Sequence, residues 1–275
     1  MTASERLVTS RHNPVVKRAR GLRLRKHRAA EGAFLVEGIR PVWQAVDHHA
    51  QVESLLWAPE LLTSPGARAL VEHQREAGTS VTALSAEAFA SLADRDRPSG
   101  LAAIVRRDVS RLEGLDAGPR AIFVALEAPA DPGNVGTIVR TLDATGGEAL
   151  VLVGDAADPF DPRAVKASMG SLFAVRVCHA PDADSVEAWC RARGVALVTT
   201  SAHAPTELWD AALAPPLLFL LGSERAGLTP AQLGRGDEAV RIPMSGSSSS
   251  LNLAVAAGVL LYECRRRASR QDASR

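Results

Sequence analysis

The 275-residue chain has only three cysteines, Cys178, Cys190 and Cys264, and no two of them form a CxxC pair. That usage excludes a zinc cluster or dithiol redox motif. It fits a reduced, cytoplasmic protein with buried or spare thiols. No apolar run reaches the ~18 residues of a membrane span. The basic N-terminus lacks the apolar core of a secretory signal. Lysine is nearly missing: only Lys17, Lys26 and Lys166 occur. No GxxxxGK[ST] occurs, so there is no Walker phosphate loop. GxGxxG and GxSxG are also missing, which disfavours a dinucleotide fold and a hydrolase nucleophile elbow. No internal repeat is visible, and the serines at 247–250 are too few to count as low complexity.

The composition is that of a globular protein, 46% hydrophobic and 23% charged, with length for two domains. The net charge of +1 hides an uneven distribution. Residues 6–28 carry Arg6, Arg11, Lys17, Arg18, Arg20, Arg23, Arg25, Lys26 and Arg28 with no acid among them. Arg265, Arg266, Arg267 and Arg270 form a second cluster. Basic ends on a near-neutral body suggest a polyanionic partner, the alternative being solvated tails.

Hydrophobic patterning alternates between strands and helices. In the N-terminal part, strands are expected at 33–37, 52–57, 80–83 and 101–105. Helices are expected at 39–48, 65–77 and 86–92. This describes a small α/β layer domain. Residues 107–119 mix charge, glycine and proline and read as a linker. Beyond them, strands are expected at 121–126, 149–153, 195–199, 217–221 and 239–242. Helices are expected at roughly 135–145, 161–169, 183–193 and 251–267. Continuously apolar strands such as 217–221 indicate a parallel sheet covered on both faces. The last helix is apolar on nearly every side from Leu251 to Tyr262, which favours a subunit interface.

Three segments place glycine, serine or asparagine just after such strands: DPGNVGTIVRT at 131–141, LGSERAGL at 221–228 and IPMSGSSSSLNL at 242–253. Strand ends are where backbone approaches a ligand, so the three suggest one composite pocket. Gly136 and Arg140 share a helix face. Gly136 would let backbone approach a ligand there, with Arg140 positioned to meet it; taken alone, a turn plus a surface arginine is the more frequent reading of such a pair. Glu224 lies just past a buried strand tip, either as a functional carboxylate or as part of a helix start with Ser223. Ser250 is a candidate cap for the last helix.

Together these segments resemble the three signature motifs of the SpoU/TrmH family, the RNA ribose 2′-O-methyltransferase branch of the SPOUT superfamily. Asn134, Gly136, Ile138, Arg140 and Thr141 match the first motif. Gly222, Glu224, Gly227 and Leu228 match the second. Ile242, Pro243, Met244, Ser250, Leu251 and Asn252 match the third. The segment 167–173 also resembles a family element. The matches cover about residues 121–267. One departure is Leu253-Ala254, where many relatives carry a second serine.

The resemblance implies a SPOUT-type α/β fold with a C-terminal trefoil knot, against the general rule of unknotted chains. It implies S-adenosylmethionine as cofactor, a homodimer and an L30e-like N-terminal RNA-binding domain. The expected organisation is a basic arm at 1–30, the L30e-like domain at 31–106, the linker at 107–119, the methyltransferase domain at 120–268 and a tail at 269–275. The implied catalytic set is Arg140, Asn134, Glu224, Ser250 and Asn252. Asn134 would orient Arg140 or the ribose. The cofactor would be received by Leu221, Gly222, Ile242, Met244, Ser250 and Leu251, with no metal. Arg18, Arg20, Arg23 and Arg25 would contact RNA. Large-subunit 23S ribosomal RNA is the favoured substrate, because rRNA-acting and antibiotic-resistance relatives carry a full N-terminal domain; transfer RNA is the alternative. A non-catalytic RNA- or ribosome-binding protein would lack Arg140, Asn134 or the SLN triplet, and all are present.

Overall fold

The computed structural model describes residues 7–92 and 98–273; Arg6 of the basic leader lies outside the described residues. The chain forms two compact units. One comprises Met1–Arg107 with Phe160–Phe173, the other Asp108–Pro159 with Ala174–Arg275.

The first unit corrects the reading of the leader as a separate arm. It folds as two helices, α1 (Pro14–Gly21) and α2 (Arg25–Glu31). The Asn13 side chain accepts the Val15 N–H, and Pro14 occupies the first helical turn. Gly32, at φ +62°, ends α2. Val16, Ala19 and Leu22 recur every three residues, and all are buried in one cluster with Leu35, Leu56 and Phe89. Burying one leucine stabilises by roughly 1.5–3 kcal/mol, so the leader is held as core. Arg18 donates to Glu31 at 2.7 Å and to Glu53 at 2.6 Å. Arg28 is buried, donates to the carbonyls of Leu22 (3.0 Å) and Arg23 (2.7 Å), and faces Asp161 at 3.5 Å. Lys17, Arg20, Arg25 and Lys26 are exposed, and Arg23 is half-buried.

The rest of this unit follows expectation: β1 (Ala33–Glu37), α3 (Ile39–Asp47), β2 (Val52–Trp57), α4 (Pro65–Glu76), β3 (Ser80–Ala83), α5 (Ala86–Ala90) and β4 (Leu101–Arg106). The sheet order is β1-β4-β2-β3. β4 runs antiparallel to both neighbours, while β2 and β3 are parallel.

The second unit begins inside the expected linker. There β5 (Ser110–Arg111) pairs with a sheet edge, and Leu112 and Leu115 enter the core. Two leucines three residues apart suffice to anchor an otherwise polar stretch. β6 (Ile122–Glu127), α6 (Pro132–Thr145) and β7 (Ala149–Val153) follow. The chain then departs to the first unit as α7 (Pro162–Ser168). There Phe160 and Phe173 lie 4.6 and 6.2 Å from the Phe34 ring. It returns as β8 (Arg176–Ala180), a strand missing from the expected set, then α8 (Ala183–Arg193), β9 (Ala196–Thr200), β10 (Thr206–Glu207), β11 (Leu217–Leu221), α9 (Pro230–Leu233), β12 (Glu238–Arg241) and α10 (Leu253–Ala273). The sheet order is β10-β12-β9-β11-β6-β7-β8-β5, with every pairing parallel. In a parallel sheet all strands end at the same edge, so the loops after β6, β11 and β12 leave from one side. Those loops carry the three sequence motifs.

Within this unit α10 is not covered on every side. Leu253, Ala257, Leu260, Leu261 and Cys264 are buried, whereas Val255 and Tyr262 are 52% and 56% exposed. Its C-terminal half is pinned by Glu263, which is buried and accepts from Arg266 and Arg267 at 2.7 Å. Arg267 in turn donates to the carbonyls of Ala211, Leu208 and Trp209. The Arg266 hydrogen bond, against the opposing effect of burial and helped by Arg267, lowers the Glu263 carboxyl to about 2. The folded value lies below the unfolded one, so this contribution is present above about pH 4.3 and disappears as pH falls toward 2. Thermal unfolding should therefore show Glu263→Gln melting several degrees below wild type at pH 7, with the gap closing between pH 4 and 2. A gap independent of pH would mean that the charge contributes nothing.

All three cysteines are buried and unpaired. Burial pushes Cys178 up to about 11 and Cys190 and Cys264 up to about 12, so none is a reactive thiolate. Among the described residues, no helix is long and apolar enough to cross a membrane.

Candidate functional site

The loop after β6 leads into α6 through Asp131, whose carboxylate accepts the Gly133 N–H at 3.0 Å. Pro132 takes the first helical position, where its missing N–H removes no helical bond. This cap sets Asn134, half-buried, in the first turn and Arg140 almost two turns along. Arg140 is exposed and has no hydrogen-bond or ion-pair partner among the described residues. Gly136, expected to face a ligand, is instead buried in the packing of α6.

The loop after β11 is a tight turn. The Gly227 N–H donates to the Ser223 carbonyl at 2.9 Å, and Gly227 adopts φ +66°. The Ser223 hydroxyl accepts the Ala226 N–H at 3.3 Å, so it closes this turn rather than capping a helix. Gly222 packs so tightly on the far side of the turn that a Cβ there would lie 2.1 Å from the Gly227 carbonyl carbon.

Out of this turn, Glu224 reaches back to the first loop. Its carboxylate accepts the N–H of Ala130 at 3.1 Å, the N–H of Asp131 at 3.3 Å and the Asn134 amide at 3.0 Å. Burial pushes this carboxyl up, but those donors outweigh it and hold the group below its ordinary value. Glu224 is thus an ionised acceptor at neutral pH. The Asn134 carbonyl oxygen accepts from the Asn252 amide at 3.1 Å. The Asn252 oxygen accepts the N–H groups of Ala254 (2.9 Å) and Val255 (3.3 Å). Asn252 therefore caps α10, the role assigned by sequence to Ser250. Ser250 is exposed, and its carbonyl accepts the Ser248 hydroxyl at 2.8 Å.

The result is a directional chain, from the start of α10 through Asn252 and Asn134 to Glu224. It joins all three motifs. Asn134 spends its amide on this chain, with no bond to Arg140. Beside it, Leu221 is buried, Ile242 and Met244 are half-buried, and Leu251 is 38% exposed. Ile242, Met244 and Leu251 thus leave apolar surface accessible in loops that also carry hydroxyl and N–H groups. Among the described residues no cluster could hold a metal ion.

Comparison with known proteins finds relatives over most of the chain. The SpoU rRNA Methylase family matches residues 121–262, and the MRM3-like substrate binding domain matches residues 13–103. The latter span includes α1 and α2. The 23S rRNA (uridine(2479)-2′-O)-methyltransferase of Streptomyces viridochromogenes is 35% identical over 268 residues, covering 95% of this chain and 92% of that protein. The 23S rRNA (guanosine(2553)-2′-O)-methyltransferase RlmP of Bacillus subtilis is 29% identical over 258 residues, covering 94% of this chain and 98% of that protein. The crystal structure of an AdoMet-bound rRNA methyltransferase from Sinorhizobium meliloti superposes with a TM-score of 0.87 at 33% identity, covering 96% of this chain and 99% of that one.

Proposed function

The chain belongs to the SpoU rRNA methylase family, and on that premise we propose that it methylates a ribose 2′-hydroxyl of 23S ribosomal RNA from S-adenosylmethionine, in the cytoplasm and as a homodimer. The observation that carries the reading is the Glu224–Asn134–Asn252 chain, which ties three strand-end loops together, with Arg140 exposed on the helix that bears Asn134. The cofactor supplies an electrophilic methyl group. Leu221, Gly222, Ile242, Met244, Ser250 and Leu251 would hold it. The trefoil knot implied by the family belongs to the same reading.

The protein must orient a neutral hydroxyl and ease loss of its proton to water as the oxygen accepts the methyl group. Arg140 is the residue for that work. An arginine stays protonated, so it acts best by gripping the target nucleotide's phosphate and stabilising the developing alkoxide. Glu224, Asn134 and Asn252 position the loops rather than touch the reacting atoms. Arg20, Arg23 and Arg25 remain RNA contacts in this reading. Arg18 does not, because Glu31 and Glu53 already hold it. The exposed Val255 and Tyr262 on α10 favour the homodimer.

Calorimetry with S-adenosylhomocysteine tests the reading, followed by mapping of 2′-O-methyl groups in 23S rRNA with and without this gene. One cofactor per chain, a sample mass of two chains and loss of one methylated ribose are expected. Absence of cofactor binding in a folded sample would sink it.

A further inference from the structure

Most arginines of the second unit are spent inside the fold. Arg176 pairs with Glu148, Arg191 with Glu187, and Arg193 with Asp116. Arg235 pairs with Asp184 and Glu187, Arg241 with Glu207, and Arg266 and Arg267 with Glu263. Among the described residues, Arg111, Arg140, Arg225 and Arg265 have no such partner. Arg111 lies on the edge strand β5 and Arg265 on the distal half of α10. The other two lie on elements that carry the hydrogen-bonded chain of the site. Arg140 is on α6, and Arg225 directly follows Glu224.

Arg225 is exposed at the tip of the turn after β11. That turn is stiff. Gly222 packs against Gly227 and Leu228, Ser223 and Gly227 bridge across it, and Glu224 is fixed by three donors. A free, exposed guanidinium adds little to stability. On a rigid loop beside a site for a polyanion, it is prepared for an oxyanion.

We propose that Arg225 binds an RNA phosphate next to the target nucleotide, as a second cationic contact distinct from Arg140. The proposal rests on the RNA-methylating reading above. It assigns Arg225 to docking of the substrate and Arg140 to the reacting nucleotide. One is an affinity determinant, the other acts in the transition state.

The test compares wild type, Arg225→Ala and Arg225→Lys, using 23S rRNA from cells lacking this gene. RNA binding is measured by filter retention at several salt concentrations without cofactor, and turnover with S-adenosylmethionine. For Arg225→Ala, KM for RNA should rise about tenfold, the loss of one charge-assisted contact. kcat and S-adenosylhomocysteine affinity should stay within about twofold of wild type. The slope of log affinity against log salt should become shallower by about one. Arg225→Lys should restore the slope, because it keeps the charge. Unchanged KM and slope would overturn the proposal and leave a solvated arginine. A fall in kcat at unchanged KM would also overturn it, by making Arg225 part of the chemistry, and so would lost cofactor affinity, by making it part of the loop's structure. Failure of the wild type to bind cofactor or methylate RNA would refute the broader reading instead, and the cofactor-free salt slope would still report on Arg225.

Discussion

Arg140→Ala should lower methyl transfer by at least ~100-fold at saturating RNA and cofactor, the low end of what one positioned proton-transfer or charge-stabilising group contributes. The fold should not notice. Arg140 is exposed and without a partner, so its removal breaks no hydrogen bond and opens no cavity. Cofactor affinity should also hold, because the Glu224–Asn134–Asn252 chain closes without Arg140. That separates it from its neighbours: Asn134→Ala would strip Glu224 and Asn252 of a shared partner and disturb every loop at once. Arg140→Lys should recover little, since a point charge does not reproduce a planar, two-pronged contact to phosphate or ribose. Single-turnover methylation with 23S rRNA is the deciding measurement. Near-normal turnover in Arg140→Ala would move the catalytic centre elsewhere while leaving the family assignment intact.

The sequence announced this site because its strands are continuously apolar. β7 and β11 fall at the expected residues, and the polar loops after β6, β11 and β12 stand out against such strands. The sequence could not say how the loops meet. Nothing local indicates that Asn134 would face Glu224, 90 positions away, or Asn252, 118 away. The leader failed for the opposite reason. Nine basic residues drew attention from Val16, Ala19 and Leu22, yet burial of that stripe decides where the leader goes. Likewise Arg176 and His179 face outward and hid β8 as a strand. The excursion at 160–173 rests on Phe160 and Phe173 meeting Phe34, a pairing no periodicity encodes.

Gly222→Ala should abolish most cofactor binding although it adds one methyl group. The new carbon would lie 2.1 Å from the carbonyl carbon of Gly227 and 2.3 Å from the Leu228 nitrogen. Both are backbone atoms, so no rotamer change relieves the clash. Neither flank can yield easily, because Leu221 and Leu228 are both buried. The turn itself must open. Glu224 rides on that turn, and its contacts to the Ala130 and Asp131 N–H groups, at 3.1 and 3.3 Å, have little slack before they weaken. Overpacking of this kind costs about 1–3 kcal/mol, equivalent to roughly 5–150-fold in affinity if the displaced loop is a pocket wall. Gly227→Ala is the control. A Cβ at Gly227 meets nothing within 4 Å. Its penalty is the left-handed backbone alone, about 1–2 kcal/mol, and it moves no wall. Calorimetry with S-adenosylhomocysteine should therefore rank wild type above Gly227→Ala and Gly227→Ala above Gly222→Ala, with circular dichroism unchanged in all three. Wild-type affinity in a folded Gly222→Ala protein would mean that the turn after β11 does not line the cofactor site, and the pocket would have to be rebuilt from the loops after β6 and β12 alone.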